Sequence, residues 1–415
     1  MNAPLPARAL PHASRDRLWR SLAELAEIGA TARGGVRRLA LTDRDAQGRA
    51  RVEGWLREAG CTIRRDRIGN LYAIRPGTDP QAAPVAMGSH LDTQPNGGRF
   101  DGAYGVLAGL EVLRALDDAG VVTRRPLAVV AWTNEEGTRF QPVMMGSGVY
   151  ANAFALEHCL GQRDADGTTV AEALAATGQA GTDPPPTFDA YFEAHIEQGP
   201  VLEAAGRTIG VVTAALGQRW FDVVIDGQDA HAGPTPLALR RDALLAAARL
   251  VVAVREIAAA HPNEARGTVG RLIVSPNSRN VIPGRVETSV DLRNADAATL
   301  EAMTGAVRDA AARIEREDRV SIALSQTAHF PPCPFDATLR ASLASIAESL
   351  GYDPMHLPSG AGHDAVYVAR TCPAAMVFVP CEGGISHNEI ENANPDHLYA
   401  GCEVLLRAVL ARADG

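Results

Sequence analysis

At 415 residues the chain is long enough for two or three domains and a large buried core, so size alone excludes little. Its 40 basic residues against 49 acidic ones give a net charge of −9, and every basic residue is arginine. The absence of lysine removes chemistries that need its amine: Schiff-base aldolases, pyridoxal-phosphate enzymes, P-loop NTPases, and amidases built on Ser-Lys or Cys-Lys pairs. A net acidic chain without a basic stripe also speaks against nucleic acid as the main partner. The cysteines, Cys61, Cys159, Cys333, Cys372, Cys381 and Cys402, show no CxxC and no regular spacing, which fits a reducing cytoplasm better than a disulfide framework. The N-terminus lacks the apolar core of a signal peptide, and the longest apolar helical stretch, 244–260, is interrupted by Arg249 and Arg255; a soluble protein without membrane association is expected.

In chain order, apolar residues at helical spacing follow Ser14, a plausible cap, and predict an opening helix that ends at Gly29. Segments 62–77, 84–92 and 125–136 read as strands and 105–120 as a helix, an alternation that predicts an α/β layer with a mostly parallel sheet. The character changes near Gly217. Alternating segments 219–227, 267–274 and 286–293 read as strands, and 235–261 and 297–317 as long helices, which together make an α+β unit. The α/β pattern resumes near Phe335 with a helix over 336–351 and a strand over 374–380, so residues 215–328 read as an insert in a catalytic domain made of 1–214 and 329–415.

Five short motifs carry candidate chemistry. His90 and Asp92 close the apolar run 85–89; residues two apart in an extended chain share a face, so the Asp92 carboxylate could hold the second ring N–H of a metal-ligating His90. Asp101 sits among Gly97, Gly98, Gly102 and Gly105 just before a helix, as a ligand on a tight turn or as a helix cap. Glu135 and Glu136 follow an apolar strand, where adjacent carboxylates repel unless a cation or proton separates their roles; one could bind metal while the other takes a proton from water. The fourth and fifth motifs, EAHIEQG with His195 and Gln198, and GGISHNE with His387, complete a His/carboxylate set suited to Zn, Mn, Co or Ni. Any one of these histidines alone is more simply a core or surface residue; their recurrence at strand ends, where open α/β sheets place the ligand crevice, argues for a metal. In the insert, Gln218, His231, Asn280 and Arg293 form a second set. There Arg293 could grip a carboxylate or form a surface ion pair, and His231 and Asn280 could donate to a developing oxyanion.

Together GSHLDTQPNGGRFDG, WTNEEGTRF, HIEQGP, GQRW, HAGPTP, RNVIPG, DLR, GAGHDA and GGISHNE resemble the hydantoinase/carbamoylase branch of the di-metal M20 amidohydrolases and peptidases, over a stretch from about Gly29 nearly to the C-terminus. The resemblance implies a catalytic α/β domain with an inserted lid that also makes a homodimer, and two divalent metals per subunit. It makes Asp101 the bridging carboxylate, with His90 and His195 at one metal and Glu136 and His387 at the other. Glu135 becomes the general base, and His231 stabilises the oxyanion, reaching across the dimer. Gln198, Gln218, Asn280, Arg293, Gly362 and His363 hold the substrate, with Arg293 on its α-carboxylate. The wording HAGPTP favours the carbamoylase branch, so the expected reaction is N-carbamoyl-L-amino acid plus water to amino acid, carbon dioxide and ammonia.

Three rivals stand beside this reading. Allantoate amidohydrolases belong to the same branch; an N-acyl-amino-acid deacylase or peptidase of the wider superfamily is disfavoured by His195, where such relatives carry an acidic residue; and a catalytically silent dimeric binding protein is disfavoured by the completeness of the constellation.

Overall fold

Ser14 opens the first helix, Arg15–Ala26, by accepting a hydrogen bond on its hydroxyl from the Arg17 amide at 3.4 Å. Leu18, Leu22 and Leu25 recur on one face and are buried in the main core, each stabilising the fold by about 1.5–3 kcal/mol. The computed structural model describes residues 10–261 and 265–415; residues 1–9, which belong to the N-terminal stretch read above for a signal peptide, lie outside them. Among the described residues no helix is long and apolar enough to cross a membrane.

Contacts divide the chain into two units, one running to Thr213 and resuming at Phe335, the other spanning Ala214–Pro334. In the first, strands Leu127–Trp132, Val85–His90, Ala190–Ile196 and Ala374–Val379 lie side by side in that order and all parallel. Each is buried along its whole length, as strands covered on both faces are; Leu127–Trp132 and Ala374–Val379 are continuous apolar runs accordingly, whereas Ala190–Ile196, which carries Glu193 and His195, is not among the expected strands. Antiparallel strands flank them: Leu71–Arg75 beside Leu127–Trp132, and Gly210–Ala215 beside Ala374–Val379. Helices Ala103–Asp118 and Pro395–Asp414 pack on this sheet and on each other. The α/β class with a mostly parallel centre is the one expected.

Two further details differ from the sequence reading of this unit. Segment 62–77 is a hairpin, Thr62–Arg65 and Leu71–Arg75, because the buried Asp66 carboxylate accepts from the amide and side chain of Asn70 and the Tyr72 hydroxyl, and Gly69 turns the chain at φ 86°. A helix not foreseen, Asp43–Glu58, turns Asp45 and Arg49 inward. Arg49, fully buried, donates to the Trp132 carbonyl at 2.7 Å, the Gly69 carbonyl at 3.0 Å and the Thr133 hydroxyl at 3.1 Å. Arg38 does the same for the carbonyls of Leu91, Leu25 and Ile28. Two buried guanidinium groups thus tie down the backbone at the carboxyl ends of the strands that carry His90 and lead to Glu135, compensating their own desolvation with several charge-assisted bonds.

The second unit is an antiparallel sheet in the order Leu272–Ser275, Arg285–Asn294, Gly217–Asp226, Ser321–Phe330, with helices Ala243–Ala260 and Ala297–Asp318 packed together and on it. Strand Arg285–Asn294 alternates buried and less buried residues throughout, placing Val286, Val290 and Leu292 in the core with Phe221, Val223 and Ile225. Strand Ser321–Phe330 is not among the strands expected, and a boundary at 328 falls inside it. The first long helix begins at Ala243 rather than 235, because the Asp242 carboxylate caps the amides of Leu244 and Leu245 at 3.0 and 3.1 Å.

Candidate active site

The carboxyl ends of the four parallel strands converge on Asp101, which precedes helix Ala103–Asp118. His90 ends one strand, His195 lies one residue from the end of the next, Glu135 and Glu136 follow Leu127–Trp132, and His387 follows Ala374–Val379. Asp101 Oδ1 faces His195 Nε2 at 3.2 Å and His90 Nε2 at 3.7 Å. Its other oxygen faces His387 Nε2 at 3.1 Å, and the same ring nitrogen is 3.4 Å from Glu136 Oε2. Two sets of ligand-type atoms therefore share one carboxylate: His90, Asp101 and His195, and Asp101, Glu136 and His387. Glu135 Oε2 lies 3.6 Å from His90 Nε2.

The ring orientations show what kind of group suits this cluster. His90 Nδ1 lies 2.9 Å from the Asp92 carbonyl and His195 Nδ1 lies 2.8 Å from the Ile196 carbonyl, so in the neutral rings these nitrogens carry the protons and each Nε2 presents a lone pair. Lone pairs aimed at a buried carboxylate repel it unless protons or cations stand between them. A nitrogen and carboxylate donor set of this composition suits borderline divalent metals. A third group, Glu193, His195 and His363, also lies close together. Its donors are engaged: Glu193 accepts from Ser89 at 2.7 Å and the Ala365 amide at 3.1 Å, His363 Nε2 meets Ser359 Oγ at 2.7 Å, and His195 is turned to Asp101.

Electrostatics follow from crowding charges out of water. Burial raises Glu135 well above the ordinary carboxylate range, with Asp364, Glu136 and Asp92 adding to the effect against His90. Burial, with Asp101 beside it, pushes Glu136 up to about 7. For Asp101 burial acts upward, but the imidazoles of His195, His387 and His90, when protonated, prevail and hold it well below its usual value. The Asp101 hydrogen bond pushes His387 up to about 9, against its partial burial.

Asp92 is placed differently from the sequence expectation. Its carboxylate stands 4.0 Å from His90 Nδ1, and it is the Asp92 main-chain carbonyl that takes the ring N–H. The carboxylate instead accepts the backbone amides of Glu135 and Glu136, both at 3.2 Å, and so fixes the turn that presents both glutamates. Gln198, Gly362 and His363 lie in the same unit, but Gln198 Nε2 here donates to Asp101 Oδ2 at 2.9 Å. His363 is buried, and burial beside His195 holds it well below the ordinary imidazole value, as a neutral ring. In the insert, Gln218 and Arg293 are directly opposed across two strands, and the ladder of Ala230–His231 with Val281–Ile282 brings the Asn280 carbonyl to the Ala232 amide at 2.9 Å. The Arg293 guanidinium pairs with Asp291 at 2.7 Å.

Several residues with a part in this geometry went unassigned in the sequence reading. Gln94 donates to Glu136 Oε2 at 2.7 Å and accepts from Thr138 at 2.6 Å. Ser386 and Glu391 lie inside the GGISHNEIE segment, yet nothing in the spacing marks them, because their partners are near Asp101, remote in sequence. Gly102 has φ 64°, and a Cβ there would come within 2.4 Å of the His90 ring. Gly102→Ala is therefore expected to cost about 1–3 kcal/mol and to displace the His90 ring, checked by urea unfolding of the metal-free protein.

The description Peptidase family M20/M25/M40 matches residues 86–411. The chain is 44% identical to an N-carbamoyl-L-amino-acid amidohydrolase of Rhizobium meliloti over 401 residues, covering 96% of each chain. It is 41% identical to the N-carbamoyl-L-amino acid amidohydrolase of Geobacillus stearothermophilus over 409 residues, 96% of this chain and 99% of the relative. Among solved structures, a hydantoinase/carbamoylase family amidase from Burkholderia multivorans superposes with a TM-score of 0.96 at 52% identity, over 97% of this chain and 99% of that one. With the parallel sheet, the converging strand ends and the shared Asp101 carboxylate already in view, these matches show that the chain belongs to peptidase family M20/M25/M40, in its hydantoinase/carbamoylase branch.

Proposed function

We propose that this protein is a metal-dependent amidohydrolase that cleaves the linear ureido bond of N-carbamoyl-L-amino acids, consuming water and releasing amino acid, carbon dioxide and ammonia. The observation that carries the reading is Asp101 shared by two His/carboxylate sets with Glu135 facing one of them. His90, Asp101 and His195 would hold one divalent ion, and Asp101, Glu136 and His387 a second, drawn from Zn, Mn, Co or Ni. Bound there, such ions would supply Lewis acidity toward the ureido carbonyl and lower the pKa of water.

The chain's own groups would do the rest. Glu135 takes the proton from the attacking water on Oε2 and returns it to the leaving nitrogen, and the burial that raises its pKa suits a carboxylate that must hold a proton near neutrality. Asp92 keeps Glu135 and Glu136 in register through their amides. His231 is assigned to the oxyanion, Arg293 to the α-carboxylate, and Gln198, Gln218, Asn280, Gly362 and His363 to orienting the substrate. Arg293→Glu is expected to raise KM at least tenfold for ureido acids; an unchanged KM would remove Arg293 from substrate binding.

The insert is also the proposed homodimer surface. Its edge strand Leu272–Ser275 is paired on one side among the described residues and exposes Leu272 and Ile273, and helix Ala243–Ala260 exposes Leu245 and Val252. Light scattering should give twice the chain mass, and charged residues at Leu272 and Ile273 should halve it. All six cysteines are free, which suits the cytoplasm proposed as its compartment.

The decisive experiment measures ammonia release by protein loaded with Mn, Co or Zn against N-carbamoyl-L- and D-amino acids, N-carbamoyl-β-alanine, allantoate, N-acetyl amino acids and dipeptides. Selective turnover of N-carbamoyl-L-amino acids supports the proposal. Turnover of allantoate alone moves the protein to the allantoate side of the branch, and amino acid freed only from N-acetyl substrates or dipeptides replaces the ureido reading with a deacylase or peptidase.

A further inference from the structure

Glu391 lies four residues beyond His387, and its side chain is only 1% exposed. Both of its oxygens are used, and they are used on different parts of the chain. Oε1 accepts the backbone N–H of Phe100 at 2.9 Å and of Asp101 at 3.2 Å, while Oε2 accepts the Ser386 hydroxyl at 2.7 Å. Ser386 Oγ also lies 3.3 Å from Asp101 Oδ2, linking segments 285 residues apart in sequence. The carboxylate reaches these amides because residue 98 is glycine: a Cβ on Gly98 would lie 2.0 Å from the Glu391 carboxyl.

A buried carboxylate is costly unless its lone pairs are satisfied, and here its donors come from the backbone of one candidate ligand and the side chain adjacent to another. We propose that Glu391 is a positioning residue: by gripping the Asp101 backbone and Ser386 together, it sets the Asp101 carboxylate against His387 before any ion binds. The inference rests on the metal centre proposed above. It differs from a purely structural role, in which Glu391 would only close a loop, in what its removal does. A structural tie lowers the stability of the metal-free protein and leaves affinity for the ion intact. A positioning residue changes the affinity itself, and outer groups of this kind are typically worth about 10–100-fold.

The test is Zn²⁺ titration of the full-length protein against a chromophoric chelator, for wild type, Glu391→Ala, Glu391→Gln and Ser386→Ala, with the melting temperature of each metal-free protein recorded. Wild type is expected to take two equivalents. Glu391→Ala should weaken the equivalent held with His387 about 10–100-fold and, because Asp101 belongs to both sets, the other by less. Glu391→Gln, which keeps one oxygen for the two amides, should recover part of the loss, and Ser386→Ala should weaken the same equivalent by less than Glu391→Ala does. At saturating Zn²⁺ the KM of Glu391→Gln for the ureido substrate should match wild type. Two tight equivalents in a folded Glu391→Ala overturn the proposal while leaving the metal centre standing. Wild type that takes up no Zn²⁺ overturns the metal centre and this inference with it. If Glu391→Ala does not fold, unchanged affinity in both Glu391→Gln and Ser386→Ala overturns the proposal.

Discussion

Glu135→Gln is expected to lower kcat by about 10²–10⁴-fold, the usual range for loss of a positioned general base, with metal content unchanged. The amide matches the carboxylate in size and keeps the backbone bond to Asp92 Oδ1, but it cannot accept the proton that the attacking water must lose. The candidate ligands, His90, Asp101, Glu136, His195 and His387, are untouched by the substitution. The pH profile gives a second readout. Burial and neighbouring carboxylates raise Glu135, so in wild type the acidic limb of kcat/KM should lie above the ordinary carboxylate range, activity falling as pH drops through it. That limb should disappear in the variant. Retained kcat would remove Glu135 as the base; lost metal would make it a ligand instead.

Asp101→Asn is expected to abolish metal uptake and, with it, at least about 10³-fold of the rate, the equivalent of about 4 kcal/mol of transition-state stabilisation. Asp101 is the only carboxylate shared by the two ligand-type sets. The amide removes the negative charge, and its NH2 half offers a donor where an ion would need an oxygen lone pair, on whichever side it points. Thermal unfolding with and without Zn²⁺ checks this apart from activity. At 100 times its Kd an ion stabilises a folded protein by about 2.7 kcal/mol, a gain wild type should show and Asp101→Asn should lack. An equal gain in both would dismiss Asp101 as the shared ligand. Glu136 offers a further sign: Asp101 contributes to holding it at about 7, so without that charge its pKa should fall.

The local code of this chain went far. The apolar runs at 85–88, 127–132 and 374–379 read as strands covered on both faces, with the polar residues that end or follow them at one edge of the sheet. That is why His90, Glu135, Glu136 and His387 could be grouped from the sequence, although the local pattern left Asp101 open between ligand and helix cap and only the family resemblance made it a ligand. The alternation over 286–293 and the cap at Ser14 were likewise local, set by side-chain period and backbone hydrogen bonds.

What the sequence by itself determined, then, was the α/β class and the chemical types that follow the apolar strands, because these follow from periodicity of two or 3.6 and from residues near one another in the chain. Tertiary structure alone decided the rest. Helix Asp43–Glu58 was hidden because its inner face carries Asp45 and Arg49, and only the carbonyls of Trp132 and Gly69, distant in sequence, make burying that charge acceptable. Strand Ser321–Phe330 is mostly exposed, with no buried residue and a weak alternation, and becomes a strand by pairing with Gly217–Asp226. Asp92 turned its carboxylate to the Glu135 and Glu136 amides because those donors arrive from another strand. Glu391 reached Asp101 across most of the chain, a long-range match of buried donors and acceptor that no local pattern encodes.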